Sequence, residues 1–313
     1  MDSRTVVLAA SGLAALVAVA AAMFLWRGIG RMSGNEDVQP AKASVGEGTA
    51  NGDGAVNGEA SAAGEGPLGE APASEEPADK GPAEVEGAPR PGDDEFLAAR
   101  RKMVEEQLAA RDIRDPHVLE AMLRVPRHRF VPEALADEAY DDHPLPIGHG
   151  QTISQPYIVA LMTQLAAPRP DSRALDVGTG SGYQAAVLAE LCREVYSIEI
   201  LEPLTAEAAE RLKRLGYRNV TVRTGDGYRG WPEKAPFDLI IVAAAPDHVP
   251  QPLIDQLAPG GRLVIPVGDA RQELLLIEKV RDGAVRRESV APVMFVPMTG
   301  EAMRKGSERR IGR

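Results

Sequence analysis

The chain has 313 residues and a formal net charge of −11, but only part of it has the apolar content to build a core. Residues 33–95 carry 15 Asp and Glu against 3 Lys and Arg, a net of −12, so the acidity belongs to that stretch and residues 96–313 are close to neutral. No basic face for nucleic acid is to be expected, and a single cysteine, Cys192, excludes an internal disulfide and a cysteine-cluster metal site.

In chain order, the first predicted element is the uncharged run TVVLAASGLAALVAVAAAMFLW, residues 5–26, fenced by Arg4 and Arg27. At ~1.5 Å per residue it is long enough to span a membrane. It exceeds the ~7–15-residue apolar core of a secretory signal, so a retained anchor over residues 1–32 is preferred to a cleaved signal ending near Ala18-Val19-Ala20. Arg27 and Arg31 beyond the span, against Arg4 before it, put the C-terminal side in the cytoplasm, with export as the alternative. Residues 33–95 are Gly, Ala, Pro, Glu and Ser with no aromatic residue; they cannot bury enough surface to offset chain entropy and are predicted to be a disordered linker. Asn51-Gly52 and Asn57-Gly58 lie in that linker, where nothing hinders succinimide formation and hence isoaspartate.

Folding is predicted for residues 96–313. FLAARRKMVEEQLAARDIRDPHVLEAML has helical apolar spacing, and Asp115-Pro116 marks a second helix start. RVPRHRFVPE reads as a turn bracketed by prolines, and LPIGHGQTISQPYIVALM, residues 145–162, follows with no charged residue at all. From Ala174 short apolar runs (ALDV, EVYSIEI, VTVRTGD, FDLIIVAAA, GRLVIPVG) alternate with helical stretches, the pattern of an α/β doubly wound, mostly parallel sheet. ELLLIEKV and VAPVMFVPM, joined through Asp282-Gly283, are predicted to close the sheet as an antiparallel C-terminal hairpin. Cys192 falls in an apolar helical run and reads as a buried thiol, and His117, His128, His143, His149 and His248 have no metal-ligand spacing, so no metal is expected.

LDVGTGSGYQAAVLAEL runs strand, glycine loop, helix, with glycines at 178, 180 and 182. Such a loop lets a ligand approach the backbone closely. The dinucleotide fingerprint requires its third glycine at 183, which is Tyr183, so a nicotinamide cofactor is the disfavoured rival. GxGxG after an acidic Asp176 resembles S-adenosylmethionine-dependent methyltransferases. Glu199 closes the second strand, placed to accept ribose hydroxyls, and Asp226-Gly227 closes the third, placed to accept an adenine amino group and let the ring approach.

Residues 96–300 as a whole resemble the protein-L-isoaspartate O-methyltransferase family, a Rossmann-like class I methyltransferase fold. The resemblance rests on VPRHRFVPE, LPIGHGQTISQPY, DVGTGSGY, GDGYRGWP, FDLIIVAAAP, PGGRLVIPVG and FVPMTG. It implies S-adenosyl-L-methionine as cofactor and isoaspartyl residues of damaged proteins as substrate, with repair as the outcome. It implies Ser154 as the active-site serine and Gln151, Thr152, Ile153 and Ser154 as a loop closing over the cofactor. Asp176, Gly178, Thr179, Gly180, Glu199, Asp226 and Gly227 fall on cofactor-binding positions, with Thr299 near the same pocket. A methyltransferase for another carboxylate or a small molecule, and a binding protein on the same fold, are the alternatives. The uncharged segment suits the implied chemistry: a substrate carboxylate of pKa ~4 is ionised at neutral pH and is itself the nucleophile, so it needs orientation by neutral donors and no base.

Overall fold

The computed structural model describes residues 95–280 and 283–305. The predicted anchor and Asn-Gly pairs, the linker up to Asp94, and Asp282 of the predicted hairpin turn lie outside the described residues. Among those described, no helix is long and apolar enough to cross a membrane.

The chain enters through α1 (Leu97–Lys102), which continues as a π-helical turn over Met103–Ala109, and α2 (Pro116–Arg124). The Asp115 carboxylate accepts from the backbone N–H of His117 at 2.9 Å, so the Asp-Pro pair starts the helix as predicted. VPRHRFVPE forms a 3-10 turn over Arg127–Phe130, followed by another over Glu133–Glu138. The uncharged segment opens as a two-stranded antiparallel ribbon, β1 (Leu145–Gly148) with β2 (Gln151–Ile153), so most of the stretch expected as a loop over Gln151 to Ser154 is a strand. His149 and Gly150, at φ 52 and 70, turn the chain between them in a left-handed conformation. α3 (Pro156–Ala166) follows, started by a proline at its first turn.

The main sheet comprises β3 (Arg173–Val177), β4 (Glu194–Glu199), β5 (Val220–Thr224), β6 (Phe237–Val242), β7 (Leu257–Gly268), β8 (Gln272–Lys279) and β9 (Val285–Val293). Their order is β5-β4-β3-β6-β7-β8-β9, parallel from β5 to β7 and antiparallel at β7–β8 and β8–β9. The intervening helices are α4 (Tyr183–Ala189), α5 (Glu202–Arg214) and α6 (Gln251–Asp255). Side chains alternate between the two faces: Leu239 and Ile241 join one apolar cluster with α1, α2 and α3, while Ile240 and Val242 join another with α6. Cys192 is buried, and burial pushes its thiol up to about 12, which makes it an inert core residue.

Two strand boundaries depart from the sequence pattern. β9 starts at Val285 and ends at Val293, where the pattern suggested residues 290–298. Its first five residues, VRRES, are exposed on an edge strand, so no apolar alternation marks them. Phe295 to Met298 instead leave the sheet and cross to the end of β6, where Ala245 N–H donates to Val296 O and Met298 N–H to Ala245 O, each at 2.8 Å. β7 also starts early, at Leu257, through a bulged register opposite Phe237 and Leu239.

Candidate active site

The register of the parallel strands brings the candidate residues together. Val177 pairs with Ile198 on β4 and with Val242 on β6, so Gly178, Glu199 and Ala243 form a row at the carboxyl ends of three adjacent strands. The strand order reverses at this point, where open α/β sheets bind their ligands. The glycine loop turns through φ 92 at Gly178, 51 at Gly180 and 90 at Gly182. Tyr183, which takes the place of a third fingerprint glycine, is buried against Phe130 with ring centroids 5.4 Å apart. The helix after the loop therefore packs through an aromatic ring, unlike a dinucleotide site.

Two cavities meet at the loop. The larger is lined by Gln151, Thr152, Gly178, Gly180, Glu199 and Gly227, with Ile198, Ile200 and Leu201 as apolar wall and exposed Thr299 at its margin. Glu199 Oε2 accepts from Gly180 N–H at 3.0 Å and Oε1 from Leu201 N–H at 3.1 Å. These bonds fix the carboxylate and leave each oxygen a lone pair. A carboxylate beside an apolar wall, with no other charged lining residue, fits a ribose and a flat base. Gly227 also has packing reasons: a Cβ there would come within 2.5 Å of Val177 Cγ1. The residues present thus fit the S-adenosylmethionine expected from the sequence.

The smaller cavity lies across the loop and is lined by Ile153, Ser154, Thr179, Ser181 and Gln184, with Thr152, Gly178, Gly180 and Ala243 common to both. None of its lining residues is Asp, Glu, Lys or Arg. Ile147 on β1 reaches over Gly180, 3.3 Å from where a Cβ would stand, so the ribbon lies directly on the glycine loop. Ser154 is half-buried and its hydroxyl makes no hydrogen bond among the described residues, so it is not consumed by the turn before Pro156.

Asp176 and Asp226 line neither cavity. Asp176 is fully buried beneath the loop, where its Oδ2 accepts from Ser197 Oγ at 2.7 Å; Ser197 in turn meets Thr179 Oγ1 at 2.5 Å. Asp176 Oδ1 is buried with no partner among the described residues. Burial is the main cause that lifts this carboxyl to about 7, opposed by the Ser197 bond and reinforced by the charge of Glu199. Asp226 accepts from Tyr228 N–H at 3.0 Å and from Glu301 N–H at 2.8 Å. Gly300 packs on the same carboxylate, and Glu301 pairs with Arg229 at 2.7 Å and Lys305 at 3.1 Å. Asp226 therefore clasps the C-terminal segment beside the larger cavity. Asp226→Ala is expected to weaken S-adenosylhomocysteine binding by about 1–3 kcal/mol by loosening both segments. Equilibrium dialysis checks this, and unchanged affinity would contradict it.

The sequence reading missed the crossing segment Val296–Met298 and the wall residues Ala243 and Ala244. The run of small residues ending FDLIIVAAA was a usable signal for the wall, and FVPMTG, which contains the crossing segment, was one for the rim. It also gave no role to Arg127, a fully buried residue whose guanidinium reaches the Ser154 carbonyl at 2.7 Å.

Comparison with known proteins places the chain in a family. The family model "Protein-L-isoaspartate(D-aspartate) O-methyltransferase" matches residues 98–303. A protein-L-isoaspartate O-methyltransferase of Synechococcus sp. is 58% identical over 223 residues, 69% of this chain and 91% of the relative. One from Opitutus terrae is 63% identical over 204 residues, 64% of this chain and 87% of its own length. Among solved structures, a Plasmodium falciparum chain assigned as a protein-L-isoaspartate O-methyltransferase, in complex with S-adenosyl-L-homocysteine, aligns with a TM-score of 0.56 at 30% identity. That alignment covers 64% of this chain and 98% of the other.

Proposed function

Since the chain belongs to the protein-L-isoaspartate O-methyltransferase family, we infer that it esterifies isoaspartyl carboxylates of damaged proteins with the methyl group of S-adenosyl-L-methionine. The observation that carries this reading is the uncharged cavity around Ser154, which shares Thr152, Gly178, Gly180 and Ala243 with the cleft that Glu199 lines. When bound, the cofactor supplies an electrophilic methyl group on a sulfonium. Glu199, Gly178, Gly180 and Gly227 hold it, with Gln151, Thr152 and Thr299 at the rim. The Ser154 and Thr152 hydroxyls donate to one oxygen of the substrate carboxylate and leave the other free. No lysine or arginine lines the cavity to clamp both oxygens, and no acid lines it to repel the anion. Proximity and orientation of this kind contribute ~7–11 kcal/mol in favourable cases. The reading is tested by supplying labelled S-adenosylmethionine with a protein aged at mildly alkaline pH and with the same protein fresh. Label released as methanol by base from the aged sample alone is expected; equal label in both would contradict it.

We further propose that residues 1–32 anchor the chain in a membrane through the uncharged span 5–26, that residues 33–95 are a flexible tether, and that residues 96–313 are the catalytic domain, facing the cytoplasm. Support comes from the length of the apolar run, the arginines that follow it, and the need for S-adenosylmethionine, which is made inside cells. Protease added to intact cells is expected to leave the catalytic domain whole; its digestion there would overturn the orientation.

A further inference from the structure

Arg127 is a buried cation that makes no ion pair among the described residues, with the charge of Asp142 and the Tyr183 hydroxyl favouring its protonated form. Its side chain is wholly inaccessible, Nη1 has no partner, and no acid pairs with it among the described residues. Its remaining bonds go to backbone carbonyls of separate segments: Nε donates to Ala139 O and Nη2 to Ser154 O, both at 2.7 Å. The guanidinium carbon also lies 4.8 Å from the ring centre of Tyr183, the first residue of α4 after the glycine loop. Burial lowers the pKa of this group from its usual value, but an arginine stays charged.

A buried charge outside any ion pair is an expensive way to fill a core, because an apolar side chain of similar size would pack there without desolvation. What an apolar residue lacks is the ability to donate to two carbonyls at once. The planar fork of a guanidinium does so in a fixed geometry, which a lysine ammonium does not reproduce. One of those carbonyls belongs to Ser154, in the short link between β2 and α3. Fixing that peptide plane fixes the direction of the Ser154 side chain into the smaller cavity.

Resting on the reading of Ser154 as the substrate-orienting serine, we propose that Arg127 is a positioning residue for the reaction: it locks the Ser154 peptide relative to the glycine-loop helix, and its charge is retained because only a guanidinium spans the two carbonyls. Arg127 acts through Ser154 and touches neither substrate nor cofactor.

A double-mutant cycle tests this on the full chain, with kcat and KM for an isoaspartyl peptide and affinity for S-adenosylhomocysteine measured for Arg127→Lys, Ser154→Ala and the pair. Arg127→Lys is expected to lower kcat about tenfold or more in the parent chain, with cofactor-analogue affinity within about threefold, and to add less than about threefold once Ser154 is alanine. The same fold-loss in both backgrounds would overturn the proposal, since it would show that Arg127 acts independently of Ser154. A parental rate for Ser154→Ala alone would refute the reading of Ser154, and is seen without any Arg127 variant. Should Arg127→Lys lose S-adenosylhomocysteine binding, Arg127→Gln, neutral and able to donate to one carbonyl, takes its place in the cycle with the same expected pattern. Loss of that affinity in both variants would also overturn the proposal, by making Arg127 a core residue.

Discussion

Ser154→Ala is expected to lower kcat for methyl transfer on the order of 10²-fold, because loss of the donor that holds one carboxylate oxygen misplaces the free, attacking oxygen. Affinity for S-adenosylhomocysteine should remain within about threefold of the parent value, because on the proposed function the variant removes an interaction with the substrate carboxylate and none with the cofactor. The expectation follows from the position of Ser154 in the smaller cavity, its hydroxyl unused by the protein, while Glu199 and the glycine loop form the larger one. Steady-state kinetics on an isoaspartyl peptide beside equilibrium dialysis would separate the two effects. An equal loss in rate and in cofactor affinity would refute this division between the cavities.

Replacing Asp176 by Asn is expected to remove a component of the pH dependence of stability. The Asp176 carboxyl is raised by burial from its usual 3.8 to about 7, so between those limits the folded protein holds a proton that the unfolded chain has released. Folding therefore binds protons in that window, and the stability contributed by the protonated carboxyl is lost as pH rises from about 4 through about 7, by an amount on the order of a few kcal/mol. Above about 7 the ionised carboxylate destabilises the fold, held there by the Ser197 hydrogen bond and opposed by the charge of Glu199. An Asn cannot ionise, so the difference in unfolding free energy between variant and parent should change with pH across this window and level off above it. Denaturant melts between pH 5 and 8 measure that difference. A constant offset at every pH would contradict the assignment.

Much of this arrangement could be read in the sequence because it depends on local pattern. The strand, glycine loop and helix around residues 174–189, the acid at the end of β4 and the Asp115 cap each announce themselves within a few residues. Tyr183 at the third fingerprint position was enough to set the dinucleotide reading aside. What stayed hidden depends on contacts distant in the chain. β9 begins among charged residues because an edge strand need not alternate, and the return of Val296 to the end of β6 is made by two backbone bonds that no side-chain pattern records. The pairing of β1 with β2 also stayed hidden, because strands of four and three residues carry too little alternation to be recognised. The use of Asp226 as a clasp for Glu301, and of Arg127 as a brace for Ser154, are likewise visible only once segments 75 and 27 residues apart are brought together.

On the proposed function, an uncharged cavity beside the glycine loop orients an isoaspartyl carboxylate toward the cofactor's methyl group. The most direct measurement is methyl transfer from labelled S-adenosylmethionine to a pair of peptides of one sequence, differing only in whether a single residue is isoaspartyl or aspartyl. The expected result is base-labile ester on the isoaspartyl peptide, with kcat/KM for the aspartyl peptide lower by at least about two orders of magnitude, a ratio that orientation within the site is able to produce. Equal turnover of the two peptides, or label that survives base on either, would contradict it.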